Sequence, residues 1–274
     1  MASLRWFESM LSLCSRSAIV RLMRRILSWA RAERAISSIA AFNSDSASAS
    51  SLQNLRICDG GMRPFFTLPA RKLHVSTKLA FDQLALVETL AIGCHAVNRA
   101  QVTASDDVLI IGAGPIGLTV LEFARAANAA ITILELNAAR RDFVEQHYPG
   151  VNVVASLPDE SAFQIVFDAT GNPNSMAATL RFARFTGRIV YVGITKEPVL
   201  IDDPLFHRRE LTLLASRNAV ASDFPHILGM IQSGQINTRP WISHRCDFSE
   251  LPAQMDTWLS PESRVIKADV NLEQ

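Results

Sequence analysis

Gly112, Gly114 and Gly117, set in the run Gly112-Ala113-Gly114-Pro115-Ile116-Gly117, have a spacing suited to holding a phosphate anion. In such a G-x-G-x-x-G turn the first glycine permits a tight reversal. The second lets backbone approach a pyrophosphate, and the third lets the following helix pack closely while its N-terminus faces the anion. Pro115 and Ile116 fall in the first turn of that helix and belong to the same candidate binding loop. Glu135 stands roughly 20 residues beyond the turn, where a carboxylate accepts hydrogen bonds from the adenosine ribose of a dinucleotide. Its charge repels a 2′-phosphate, which favours NAD over NADP. Arg140 and Arg141 lie a helical turn later and offset that repulsion in part, so Arg140 is kept as a candidate cofactor contact, although arginines there also read as solvated surface charges.

Two further short runs end in residues able to line a cofactor: Asp168-Ala169-Thr170-Gly171 and Tyr191-Val192-Gly193-Ile194. Thr170 and Gly193 are candidates for the nicotinamide half. Asp168 and Thr170 read equally well as turn and cap residues, whereas Gly193 fits a close approach of backbone to ligand.

The elements that position these residues follow from periodicity. Phe81 to Val97 carries apolar residues at helical spacing and predicts one long helix. After it come strand Val108–Ile111, helix Ile116–Ala127, strand Ala130–Leu134, helix Asn137–His147 and strand Val151–Val154. Strand Gln164–Asp168, helix Asn174–Phe185, strand Gly187–Gly193, strand Glu210–Ala215 and helix Asp223–Ser233 continue the series. Such alternation predicts an α/β fold built on a doubly wound parallel Rossmann sheet. The strand–glycine turn–helix context raises the G-x-G-x-x-G well above a loose match.

Composition narrows the function classes. The 274 residues carry 27 Lys and Arg against 26 Asp and Glu, a net charge of +1, so there is no sustained basic field for nucleic acid. Apolar runs are strand-sized, far below the roughly 20 residues of a membrane span. Cys14, Cys58, Cys94 and Cys246 show no C-x-x-C spacing, which predicts reduced thiols and a cytoplasmic setting. Residues 1–56 differ: rich in Arg, Ser and Ala, free of lysine and poor in acids, they read as a low-complexity, disordered or non-native segment, or as an organelle transit peptide. Local helix over Met10–Ile39 fits either reading.

From about Gly60 onward the chain resembles the zinc-containing medium-chain alcohol and polyol dehydrogenases, in the branch of sorbitol, threonine and sugar-acid dehydrogenases. The resemblance rests on Leu86-Val87-Glu88-Thr89-Leu90-Ala91-Ile92-Gly93-Cys94-His95-Ala96, on Gly112 to Gly117, on Val166 to Gly171 and on Ser216-Arg217-Asn218. It implies residues 57–80 as a remnant of a catalytic domain, 81–235 as the dinucleotide-binding domain and 236–274 as a segment returning to the catalytic domain, with a last strand near Val265–Val270. It also implies NAD-dependent oxidation of a polyol, sugar acid or related secondary alcohol, cofactor contacts at Ser216 and Lys267, a homo-oligomer, and a zinc ligand at Glu88. Thr89 departs from the branch, much of which carries proline there.

The rest of the zinc pattern is missing: the chain has no Gly-His-Glu motif and no cysteine-rich structural zinc loop. Glu88 therefore reads equally as a paired or solvated carboxylate. No catalytic residue is assigned. His95 reads mainly as a packed helix residue, His207-Arg208-Arg209 as a solvated basic turn, and Trp241 and Trp258 as core or interface anchors. Two functional readings follow, a zinc-type dehydrogenase and a catalytically silent dinucleotide-binding remnant. A methyltransferase, which also uses a glycine-rich first loop, fits the G-x-G-x-x-G spacing and the return segment less well.

Overall fold

The computed structural model describes residues 69–159, 161–260 and 262–271. The readings placed on residues 1–56 and on 57–68 lie outside the described residues. The chain divides into two compact units, one of residues 89–219 and one formed, among the described residues, by 69–88 and 220–271.

The 89–219 unit is built on six strands: β1 Asp107–Ile111, β2 Ala130–Leu134, β3 Asn152–Val154, β4 Phe163–Asp168, β5 Ala183–Tyr191 and β6 Thr212–Ala215. Their order is β3-β2-β1-β4-β5-β6, and every pair is parallel. This is the doubly wound order expected from the alternation, with its reversal between β1 and β4. Leu109, Ile110, Ile165, Val166, Phe167, Ile189 and Val190 are fully buried. Near-continuous branched apolar runs are what central parallel strands covered on both faces require.

Helices α3 Pro115–Ala126, α4 Ala138–His147, α5 Pro173–Phe182 and α6 Asp203–Arg208 connect these strands. Each begins where the sequence supplies a start signal. Gly114 and Pro115 open α3, the Asn137 side chain accepts from the Arg140 amide at α4, and Asn172 accepts from the Asn174 and Ser175 amides at α5.

Of the boundaries that differ from the periodic reading, three have a visible physical cause. The long helix expected over Phe81–Val97 is two, α1 Phe81–Ala85 and α2 Val87–Ala100. Leu86 donates its amide to the Gln83 carbonyl, a three-residue closure that interrupts the helical ladder. The break lets Leu84 and Leu86, which a continuous helix would turn to opposite sides, both be buried.

The helix expected to reach Phe185 stops at Phe182. There Nη1 of Arg209 donates to the carbonyls of Leu180, Arg181 and Ala183, and the chain turns extended at Ala183. Arg209 is thus a helix-end ligand, which corrects its reading as part of a solvated turn; His207 and Arg208 are exposed, in the last turn of α6. β6 starts at Thr212 because Glu210 adopts a left-handed φ of 50°, incompatible with a strand.

The other unit contains α1, α7 Asp223–Gln232, β7 Ile242–Asp247, α8 Leu251–Leu259 and β8 Lys267–Asn271. Beyond residue 236 the chain carries the expected last strand and also β7 and α8, which periodicity did not signal. β7 and β8 pair in parallel, and Trp241 is fully buried ahead of them. Nη2 of Arg245 on β7 contacts Oδ2 of Asp82 on α1 at 3.0 Å. His74 stacks on Phe224 with ring centroids 5.2 Å apart. Cys94 and Cys246 are both buried and form no disulfide among the described residues.

Candidate functional site

The carboxyl ends of β1, β2, β4, β5 and β6 gather ten of the eleven cofactor residues expected from sequence, all but Lys267, within the 89–219 unit. Gly112 has φ 97°, the left-handed turn that its position after β1 requires. A Cβ on Gly117 would lie 1.8 Å from the Gly112 carbonyl oxygen, so only glycine lets α3 seat against the turn. A Cβ on Gly114 would meet nothing nearer than Nη1 of Arg140 at 3.6 Å, which leaves the backbone open to an approaching anion. Glycines 112 and 117 are therefore demanded by the protein's own packing, and Gly114 keeps the cradle accessible.

Glu135 follows β2 and is almost fully buried. Its Oε2 accepts from the Ala113 amide at 2.7 Å, and its Oε1 accepts from the Asn137 amide at 2.8 Å. Nη1 of Arg140 lies 3.7 Å from Oε2. Arg141 turns instead to the Glu135 and Leu136 carbonyls, which settles which of the two arginines stands over the turn. Beside them Leu136 is 82% exposed, an apolar side chain at the rim. Sequence reasoning passed over it, although an apolar residue directly after Glu135 was its available signal.

On the other side of the β1–β4 reversal, Asp168 is fully buried. Its Oδ1 accepts from the Thr170 amide at 2.9 Å and from the Thr170 hydroxyl at 2.8 Å, while Oδ2 accepts from the Ser175 hydroxyl at 2.5 Å. Thr170 is exposed and also accepts from the Asn172 amide, so it serves as a turn residue whatever else it contacts. Gly193, expected to let backbone approach a ligand, approaches the protein's own backbone: a Cβ there would lie 2.3 Å from the Gly171 nitrogen. Ser216 is buried after β6; its amide donates to the Tyr191 carbonyl and its hydroxyl finds no partner among the described residues. Ser175 was missed in the sequence, because nothing local links a serine in a helix's first turn to a carboxylate seven residues earlier.

Lys267 and Glu88 fall in the other unit, which does not contain the glycine turn. Burial pushes the Lys267 ammonium below its ordinary value, and the Glu88 carboxylate raises it. Glu88 thus faces a cationic side chain. Among the described residues no group of three or more His, Cys, Asp or Glu side chains is placed to hold a metal ion. These residues do not fit a zinc centre. The turn at Gly112–Gly117 and the carboxylate of Glu135 do fit a dinucleotide, since together they would offer anion-facing backbone and a ribose acceptor in one place. No helix among the described residues is long and apolar enough to cross a membrane.

Residues 115–233 match the family model described as zinc-binding dehydrogenase. The chain is 32% identical over 203 residues to the L-galactonate-5-dehydrogenase of Escherichia coli strain K12, covering 70% of this chain and 60% of that protein. It is 31% identical over 230 residues to the 2-dehydro-3-deoxy-L-galactonate 5-dehydrogenase of Pseudoalteromonas atlantica, covering 78% and 66%. It thus spans about 60–66% of the length of these relatives. Among solved structures it resembles an alcohol dehydrogenase of Escherichia coli CFT073 complexed with NADH, with a TM-score of 0.70, 22% identity and 77% of this chain and 66% of that one covered. That likeness shows the shared fold. With the parallel sheet, the glycine turn and these matches in agreement, the chain belongs to the zinc-binding dehydrogenase family.

Proposed function

We propose that this chain binds NAD(H) and takes part in hydride transfer between that cofactor and a polyol, sugar acid or related secondary alcohol. The observation that supports the cofactor half is the joining of Glu135 to the glycine turn through the Ala113 amide, an arrangement suited to a ribose acceptor beside a pyrophosphate cradle. Glu135 disfavours the 2′-phosphate of NADP, and Arg140 moderates that preference without reversing it. Bound NAD+ would accept a hydride from the alcohol carbon as the hydroxyl proton leaves, giving NADH, a carbonyl product and a proton. The names of the sugar-acid dehydrogenase relatives support the substrate class.

A second reading is a dinucleotide-binding chain without turnover, favoured by the lack of a metal-holding group among the described residues. Calorimetric titration of the full chain with NADH and NADPH tests the first half: tighter binding of NADH is expected, and no binding of either overturns it. NADH formation from aldonates and polyols, with and without added zinc, separates the two readings. Turnover sinks the silent one, and its absence in a chain that binds NADH sinks the catalytic one.

A further inference from the structure

We propose that Asp168 is a positioning residue for the nicotinamide half of the cofactor; this rests on the NAD(H) reading above. In a doubly wound sheet the dinucleotide crosses the strand-order reversal, so one half lies over β2 and the other over the ends of β4 and β5. Asp168 is the last residue of β4 and reaches three elements at once. Its carboxylate holds the Thr170 amide and hydroxyl and the Ser175 hydroxyl in the first turn of α5. Its carbonyl accepts from the Val192 and Gly193 amides, both at 2.9 Å, just past β5.

The two loops it ties are interlocked. A Cβ on Gly193 would lie 2.3 Å from the Gly171 nitrogen, and one on Gly171, itself at φ 65°, would lie 2.8 Å from the Ile194 carbonyl oxygen. With no side chain between them, a shift of one backbone moves the other. The same loop reaches the glycine turn, where Cγ2 of Thr170 lies 3.2 Å from the place a Gly112 Cβ would take. The adenosine side is supported separately, by Glu135, Asn137 and Arg140 around β2 and α4. Two ends with independent hydrogen-bond supports are separable by mutation.

Asp168→Ala removes every acceptor the carboxylate provides. Asp168→Asn keeps an oxygen for Thr170 and presents an amide to Ser175, whose hydroxyl can turn and accept. Titration calorimetry with NADH and with ADP-ribose, which lacks the nicotinamide ring, reads the two halves apart. For Asp168→Ala in the full chain, NADH affinity is expected to fall by about tenfold or more while ADP-ribose affinity stays within about twofold. Asp168→Asn restores most of the NADH affinity. Equal losses for both ligands, or unchanged NADH binding, overturn the assignment. Should Asp168→Ala fail to fold, Ser175→Ala carries the test, with a loss of about threefold confined to NADH expected and an equal loss for ADP-ribose overturning it. A wild-type chain that binds ADP-ribose while the variants keep its NADH preference refutes the role of Asp168 alone; a wild-type chain that binds neither ligand refutes the cofactor reading, and this role with it.

Discussion

Oε2 of Glu135 accepts a 2.7 Å hydrogen bond from the amide of Ala113, so the end of β2 is tied to the middle of the glycine-rich turn. On the proposed reading, the carboxylate that would select the ribose also shapes the loop that would receive the pyrophosphate. Glu135→Ala is therefore expected to weaken NADH binding by about tenfold or more, roughly 1.4 kcal/mol, and to narrow the preference over NADPH. Parallel titrations with both cofactors check this, and an unchanged NADH-to-NADPH ratio would refute the assignment of Glu135.

Gly117→Ala forces a methyl group to within 1.8 Å of the Gly112 carbonyl oxygen, an immovable backbone atom. Either α3 or the turn must shift. A loss of about 2–3 kcal/mol in chemical denaturation is expected, together with loss of NADH binding. Wild-type stability in this variant would show that the packing described at the turn is wrong.

Arg209 donates to the carbonyls of Leu180, Arg181 and Ala183, groups that the end of α5 would otherwise leave without partners. Arg209→Met keeps most of the aliphatic stem and removes the donors. Destabilisation of about 1–3 kcal/mol is expected, with NADH affinity essentially unchanged because these carbonyls lie at the amino-terminal edge of the sheet, where β5 starts. A denaturation curve that matches wild type would sink the helix-end role.

Glu122 on α3 is 4% exposed, and its Oε1 accepts from the Tyr148 hydroxyl at 2.9 Å. Burial pushes its carboxyl up from an ordinary 4.5 to about 7, with the Tyr148 hydrogen bond and the Arg125 charge pulling the other way. The folded state therefore holds this proton more tightly than the unfolded chain. Its contribution is fully present below about pH 4.5, declines as pH rises, and is lost above about 7, a change on the order of 3 kcal/mol at most. Glu122→Gln keeps an acceptor for Tyr148 and carries no proton to lose. This variant is expected to be more stable than wild type at pH 8 and to match it near pH 4.5. Parallel denaturation curves that stay a constant distance apart across that range would refute the shift.

The glycine turn was legible because it is local: strand, three glycines and helix lie within one stretch. The zinc centre could be read only as incomplete, since Glu88 alone offered a ligand and the structure sets the charge of Lys267 near it. The substrate side had no local pattern to read.

What the sequence by itself determined was the order of the six strands in the 89–219 unit, the parallel sheet that alternating apolar runs demand, and the glycine turn with its distant carboxylate. Periodicity reports which face of a segment is buried, so it finds elements whose partners are simply apolar. Tertiary structure alone decided which backbone groups meet across chain separations: that Asp168 joins the ends of β4 and β5, that Gly193 makes room for Gly171 rather than only for a ligand, and that Arg209 ends a helix closed nearly thirty residues earlier. Those contacts are single hydrogen bonds and close approaches between residues far apart in the chain. No spacing rule encodes them, because the distance between such groups is set by the packed sheet and not by the number of residues between them.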